Sequence, residues 1–181
     1  MAVMTVMGSS AWALDQKDGV YQIGSLEDYL AFASLVNTPA DKGGNPAANA
    51  VLTADIDLGT DVTMIGTQAP DYYQGTFDGQ GHSIKMNAYP VEDNCSLFRR
   101  LQKTAEARNL RVDATVTTAT KYVAGIAGYT QGAYIHNCYV DLTVNSSVAG
   151  DATHAGVVAL AERATFIADC FVKLTINGSQ T

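Results

Sequence analysis

Asp113, Asp141 and Lys173 occupy the same place in three similar segments of this chain, "NLRVDATV", "NCYVDLTV" and "DCFVKLTI". If those segments lie side by side as strands, two carboxylates and an ammonium group form one column on an outer face. Carboxylates so placed could hold a Ca²⁺ ion, and an unpaired Lys could remove a proton. The competing reading is a solvated stripe in which Lys173 relieves repulsion between the stacked Asp residues. The stripe is favoured, because the repeats offer no second basic residue in that column.

Two residues earlier in the same segments stand Arg111, Tyr139 and Phe171, and two residues later Thr115, Thr143 and Thr175. Exposed aromatic rings beside a polar row suit sugars, whose C–H faces pack on the rings while their hydroxyls bond nearby carboxylates. The alternative is that Tyr139 and Phe171 pack under a loop or another part of the chain. The candidate ligand-binding set is therefore Tyr139, Phe171, Asp113, Asp141, Lys173 and Thr143. No catalytic residue, metal ligand or cofactor is assigned. His82 with Asp55, Asp57 and Asp78 forms a second constellation, although Asp78-Gly79 and Gly81 read first as a turn. Tyr72 and Tyr73 add aromatics at a nearby turn.

The elements that must position these residues follow from a repeat. "YIHNCYVDLTV" at 134–144 returns as "FIADCFVKLTI" at 166–176, and "AEARNLRVDATV" at 105–116 is a fainter copy. Ile84, Val112, Val140 and Val172 fall at successive offsets of 28, 28 and 32 residues. A period of that size means a solenoid, propeller or array. From residue 94 on, each copy has an apolar small-residue segment ("SLFRRL", "AGIAGY", "AGVVAL"), a turn and an alternating strand, with nothing periodic enough for a helix. Short strands joined by turns wind a coil. Alternation then sends Leu110/Cys138/Cys170, Val112/Val140/Val172, Ala114/Leu142/Leu174 and Val116/Val144/Ile176 inward as stacked columns. Cys138 and Cys170 read as reduced, buried thiols, because their parallel Cβ vectors strain a bridge. Cys95 has no aligned partner.

Ahead of the repeat, Tyr21 and Ile23 read as a short strand. Ser25 can cap a helix whose apolar residues Leu26, Tyr29, Leu30, Phe32, Ala33 and Val36 keep helical spacing. Residues 38–49 are loop chemistry with two Pro and two Gly, and "LTADIDLG" alternates as a half-buried strand. The division expected is residues 1–13 as a signal-peptide remnant ending in the A-x-A sequence Ala11-Trp12-Ala13. An N-terminal cap over 14–60 follows, with a helix at about 25–37, a loop at 38–49 and a strand at 51–58; coils occupy 61–181. Because the last strand runs into a turn without a polar cap, the chain is expected to be part of a longer protein. A formal net charge of −7 supplies no phosphate-binding stripe, which argues against nucleic acid, and no apolar run is long enough to span a membrane.

"YQGTFDGQGHSIKM", "SLFRRL", "VAGIAGYTQGAYIHNCYVDLTV" and "HAGVVALAERATFIADCFVKLTI" together resemble the GLUG-motif proteins of bacterial surfaces. The preceding "SLEDYLAFASLVN" and "ANAVLTADIDLG" resemble that family's lead-in, so the likeness covers roughly residues 20 to 179. It implies an all-β solenoid, a right-handed parallel β-helix similar to pectin-lyase-like proteins, with the short helix as N-terminal cap. It also implies a secreted or cell-surface protein. The expected function is a non-catalytic surface binding or adhesion module directed at a polysaccharide or a host surface protein. The alternatives are a fragment of a β-helical polysaccharide lyase or glycoside hydrolase, and a structural stalk. Pectin-lyase-like enzymes place carboxylates and a basic residue on the outer face of the coil, where the Asp113/Asp141/Lys173 column stands.

Overall fold

The computed structural model describes residues 14–61, 63–90 and 92–178, so the expected leader at 1–13 lies outside the described residues. Strands make up half of it, and one helix accompanies a β-solenoid of about 5 turns whose sheets are mostly parallel.

The chain enters through a small antiparallel pair, β1 (Gln16–Lys17) and β2 (Val20–Ile23). Helix α1 (Leu26–Asn37) follows, with the Ser25 hydroxyl accepting a bond from the Asp28 amide at 3.1 Å as a cap. Tyr29, Phe32, Ala33 and Val36, at the i, i+3, i+4, i+7 spacing of one helix face, are buried against the first coils. Phe32 meets the rings of Tyr21, Tyr73 and Phe77 at about 6 Å. Asn37 fastens the end of the helix: its Oδ1 accepts from the Gly66 and Thr67 amides, and its Nδ2 donates to the Met64 carbonyl.

The segment expected as a single strand over 51–58 is two strands, β3 (Ala50–Leu52) and β4 (Ile56–Asp57), which belong to different sheets. A corner at 53–55 separates them. The corner preserves the alternation, so Leu52, Ile56 and Leu58 are all buried although the strand is broken. Since β3 pairs with β2 and, further up, with β5 (Thr76–Asp78), while β4 pairs with β6 (Ser83–Ala88), all parallel, stacking begins ahead of the expected start at 61.

The later coils are fuller. β7 (Phe98–Arg108) leads to β8 (Arg111–Thr118), and β9 (Tyr122–Ala124) and β10 (Ala127–His136) lead to β11 (Tyr139–Ser146). The last coil holds β12 (Thr153–Ala155), β13 (Val158–Glu162), β14 (Phe166–Ala168) and β15 (Phe171–Gly178). One sheet stacks β2, β3, β5, β7, β10, β13 and β14; a second stacks β4, β6, β8, β11 and β15; β9 and β12 form a third.

Between the first and second sheets, each of the last three coils turns on one left-handed residue: Asn109 (φ 50°), Asn137 (φ 53°) and Asp169 (φ 50°). Asn and Asp tolerate this region better than other residues with a Cβ, and Asp169 holds the same turn as the two Asn residues. The Asn137 Nδ2 donates to Asn109 Oδ1, linking consecutive corners. The glycines of "AGIAG" have a different reason. A Cβ on Gly125 would press on the Val140 side chain and lie 2.6 Å from the Gly156 carbonyl, to which Gly125 itself donates a 2.9 Å bond.

Inside, the coils nearest α1 carry an aromatic spine, with Tyr73 stacked on Phe98 at 5.5 Å and Phe77 edge-on to Phe98 at 5.3 Å. Tyr73, read from sequence as a turn aromatic, is fully buried and its hydroxyl donates to the Ala48 carbonyl. Further along the axis the fill changes to Val112, Ala114, Val140, Leu142 and Val144. The three cysteines are free: Cys95 and Cys138 are buried and Cys170 is partly so. Burial pushes the Cys95 and Cys138 thiols up to about 12.

Candidate functional site

The outer face of the second sheet is built by strict parallel register. Tyr139 lies opposite Arg111 on one side and Phe171 on the other, and Asp141 likewise sits between Asp113 and Lys173, with Thr143 between Thr115 and Thr175. The six candidate residues therefore share one face and adjoining rows. Alternation explains it: Val140, Leu142 and Val144 are inward and fully buried, so their odd-numbered neighbours must face out.

The charged column is longer than the repeats suggested. Lys85 lies opposite Asp113, and Asp57 opposite Lys85. That corrects the expectation of a single basic residue. The order along the axis is Asp57, Lys85, Asp113, Asp141, Lys173. Lys85 binds Asp57 at 2.9 Å and Lys173 binds Asp141 at 2.9 Å. The adjacent like charges, Asp113 and Asp141, are relieved from the side by Arg111, which grips Asp113 through two bonds of 2.7 and 2.8 Å. Three anions thus meet three cations. The hydrogen bonds that Lys85 and Lys173 donate to Asp57 and Asp141 respectively raise their pKa, which keeps both ammonium groups protonated.

The neighbouring row forms a ridge. The Arg111 guanidinium lies 4.5 Å from the Tyr139 ring centroid, and the Tyr139 and Phe171 rings are stacked at 5.2 Å with 11° between their planes. Both faces of Tyr139 are therefore covered, and it presents an edge. Phe171 is exposed beside it on the same outer face. A groove flanks the ridge on each side. One, about 520 Å³, runs over the charged and threonine rows and is lined by Asp57, Lys85, Asn87, Asp113, Asp141 and Thr143 among others. The second, about 650 Å³, lies over the corner between Gln80, Asn109, Asn137, Arg111 and Tyr139.

The constellation around His82 does not converge. His82 Nδ1 stands 3.5 Å from Asp55, whereas Asp57 is held by Lys85, and Asp78 by Arg108 and Asn109. Asp78 also accepts from the Gln80 amide at 2.9 Å, as a turn Asp does. Among the described residues, no three His, Cys, Asp or Glu side chains gather where they could hold a metal ion. Among those residues no helix is long and apolar enough to cross a membrane.

Sequence reasoning missed an outer cluster on the first sheet. Thr76, Glu106, Tyr134 and Phe166 are in register there, beside Asp78, Arg108 and His136. Glu106 accepts from His136 Nε2 at 2.7 Å, from Arg108 Nη1 at 3.3 Å and from the Thr76 hydroxyl at 3.3 Å. The His136 bond is the main reason its carboxyl is held below the usual range. Burial raises the Asp78 carboxyl, but bonds from Asn109, the Gln80 amide and Arg108 outweigh it and leave the pKa depressed. The 32-residue offset that aligned Tyr139 with Phe171 also aligns Tyr134 with Phe166, and that was the available signal.

No family model, curated protein or solved structure matches the chain.

Proposed function

We propose that this chain is a non-catalytic extracellular binding module whose ligand is a carbohydrate, engaged on the outer face of the second sheet. The observation that carries the reading is the ridge of Arg111, Tyr139 and Phe171 beside a polar groove with balanced charge. A polyhydroxylated chain lying along the axis meets the outward rings of Phe171 and Tyr139 and a repeating row of hydroxyls and carboxylates. Balanced charge favours an uncharged polymer over a polyanion. The groove's volume falls in the range of small-molecule sites, roughly 300–1,000 Å³. The likeness of the repeats to GLUG-motif surface proteins points the same way and supports a secreted or cell-surface location.

The lyase alternative has less support. A general base needs a proton-free amine near neutral pH, and pairing moves Lys85 and Lys173 in the opposite direction. The carboxylates that could hold Ca²⁺ are each engaged by a cation.

The test is native affinity electrophoresis of residues 14–181 through gels cast with hydroxyethyl cellulose, xylan, galactomannan or dextran. Retardation in at least one gel, with no cleared zone, is expected. The Tyr139→Ala/Phe171→Ala variant, folded by circular dichroism, should bind about tenfold more weakly, the loss of roughly 1.4 kcal/mol. Free migration of the unaltered chain in every gel would sink the carbohydrate reading, and cleared zones would replace it with an enzyme.

A further inference from the structure

We infer that the Tyr134–Phe166 pair, with His136, Arg108 and Glu106 at its foot, is a second carbohydrate-binding surface on the first sheet, one corner turn away from the ridge. The inference rests on the carbohydrate reading above and adds to it a separate set of contacts.

Tyr134 and Phe166 are 52% and 65% exposed, with ring centroids 6.1 Å apart and planes 24° apart. Two rings stacked on an outer face offer a partner an apolar contact. The surrounding polar groups indicate which partner. On this stretch of sheet the outward neighbours are Thr76, Asp78, Glu106, Arg108 and His136. The cores of protein interfaces are depleted of charge, whereas a stacked pair of rings set among charged and hydrogen-bonding side chains matches one or two pyranose rings. The acidic and basic groups bind one another: Arg108 Nε holds Asp78 at 2.9 Å while its Nη1 reaches Glu106. That pairing fixes the Arg108 fork, and neither its Nη2 nor His136 Nδ1 has a partner among the described residues. Both can face a sugar hydroxyl.

The connection to the first surface is covalent as well as spatial. His136 is followed by the corner residue Asn137, which lines the groove that ends at Tyr139. Tyr134 and Tyr139 are five residues apart, so their Cα atoms are at most about 17 Å from one another. Segments of one polysaccharide can therefore occupy both surfaces, and the second contact becomes intramolecular once the first has formed.

The experiment compares three chains in the polysaccharide gel that retards the unaltered protein most. These are the unaltered protein, Tyr139→Ala/Phe171→Ala, and Tyr134→Ala/Phe166→Ala, with Phe166→Ser as a milder alternative if the double variant does not fold. Expected is about tenfold weaker retention when the first-sheet pair is removed. Retention unchanged on loss of Tyr134 and Phe166, but weakened on loss of Tyr139 and Phe171, would overturn the second surface and leave the first standing. No retardation of the unaltered protein in any gel would remove both.

Discussion

At the scale of single residues, the charged groups of this surface are arranged to satisfy one another. Asp78 and Glu106 are partly buried carboxyls with depressed pKa values in the folded state. The unfolded chain, with ordinary carboxyls near pH 4, therefore binds more protons than the native one in acid. Their contribution is fully present above about pH 5 and is lost as pH falls through about 4 toward the native values. The urea midpoint should accordingly be flat from pH 7 to 5 and drop by pH 3, and the drop should be smaller in Glu106→Gln. A midpoint equal at pH 7 and pH 3 would contradict this. The column that contributes Asp113, Asp141 and Lys173 was legible in the sequence because alternation in "VDLTV" and "VKLTI" is unambiguous. Lys85 was legible too, since Ile84 aligns with Val112 and the next residue must face Asp113. What could not be read was Arg111 reaching sideways to Asp113, because a two-residue spacing along one strand says nothing about where a long side chain folds.

At the scale of elements, the corners decide whether the rows stay in register. Asn137 holds φ at 53° between β10 and β11, and its side chain ties to Asn109. Asn137→Ala should cost about 1–2 kcal/mol, since a Cβ without a local hydrogen bond is disfavoured there. Asn137→Gly should cost less, because glycine has no such penalty. Equal losses in chemical denaturation would mean that the amide ladder, not the backbone, matters at this turn. Helix α1 was readable from Ser25 and the 29, 32, 33, 36 spacing. The break in "LTADIDLG" was not, because the corner at 53–55 keeps the burial period of an unbroken strand. Nor were β9 and β12, whose three residues are too few to establish a period.

At the scale of the molecule, the solenoid passes each coil's apolar face to the next, and α1 packs its apolar face against the first coils. Phe32 is the aromatic contact between helix and coil, touching Tyr21, Tyr73 and Phe77 while fully buried. Phe32→Ala should destabilise the protein by about 3–5 kcal/mol. Hydrogen exchange should locate the damage: the amides of β2, β3 and β5 should lose protection first, and those of β11 last, because neighbouring coils are coupled more tightly than distant ones. Uniform loss would mean that the coils unfold as a single unit.

The charge column also bears on how such a chain can change length in evolution. Asp113 and Asp141 are equivalent positions in adjacent coils, 28 residues apart like the corner residues Asn109 and Asn137. An in-frame deletion of residues 113–140 would join Val112 directly to Asp141 and keep the inward and outward parity of the strand. It would set Lys85 beneath Asp141, so that opposite charges alternate along the whole column. Duplicating the same 28 codons would instead add a third Asp to an existing pair, and because the unit carries Tyr139 but not Arg111, no guanidinium would arrive beside it. Because Asp57 and Asp141 take their cations from the following coil and only Asp113 takes one from its own strand, this coil can be lost without setting like charges together but cannot be repeated without doing so.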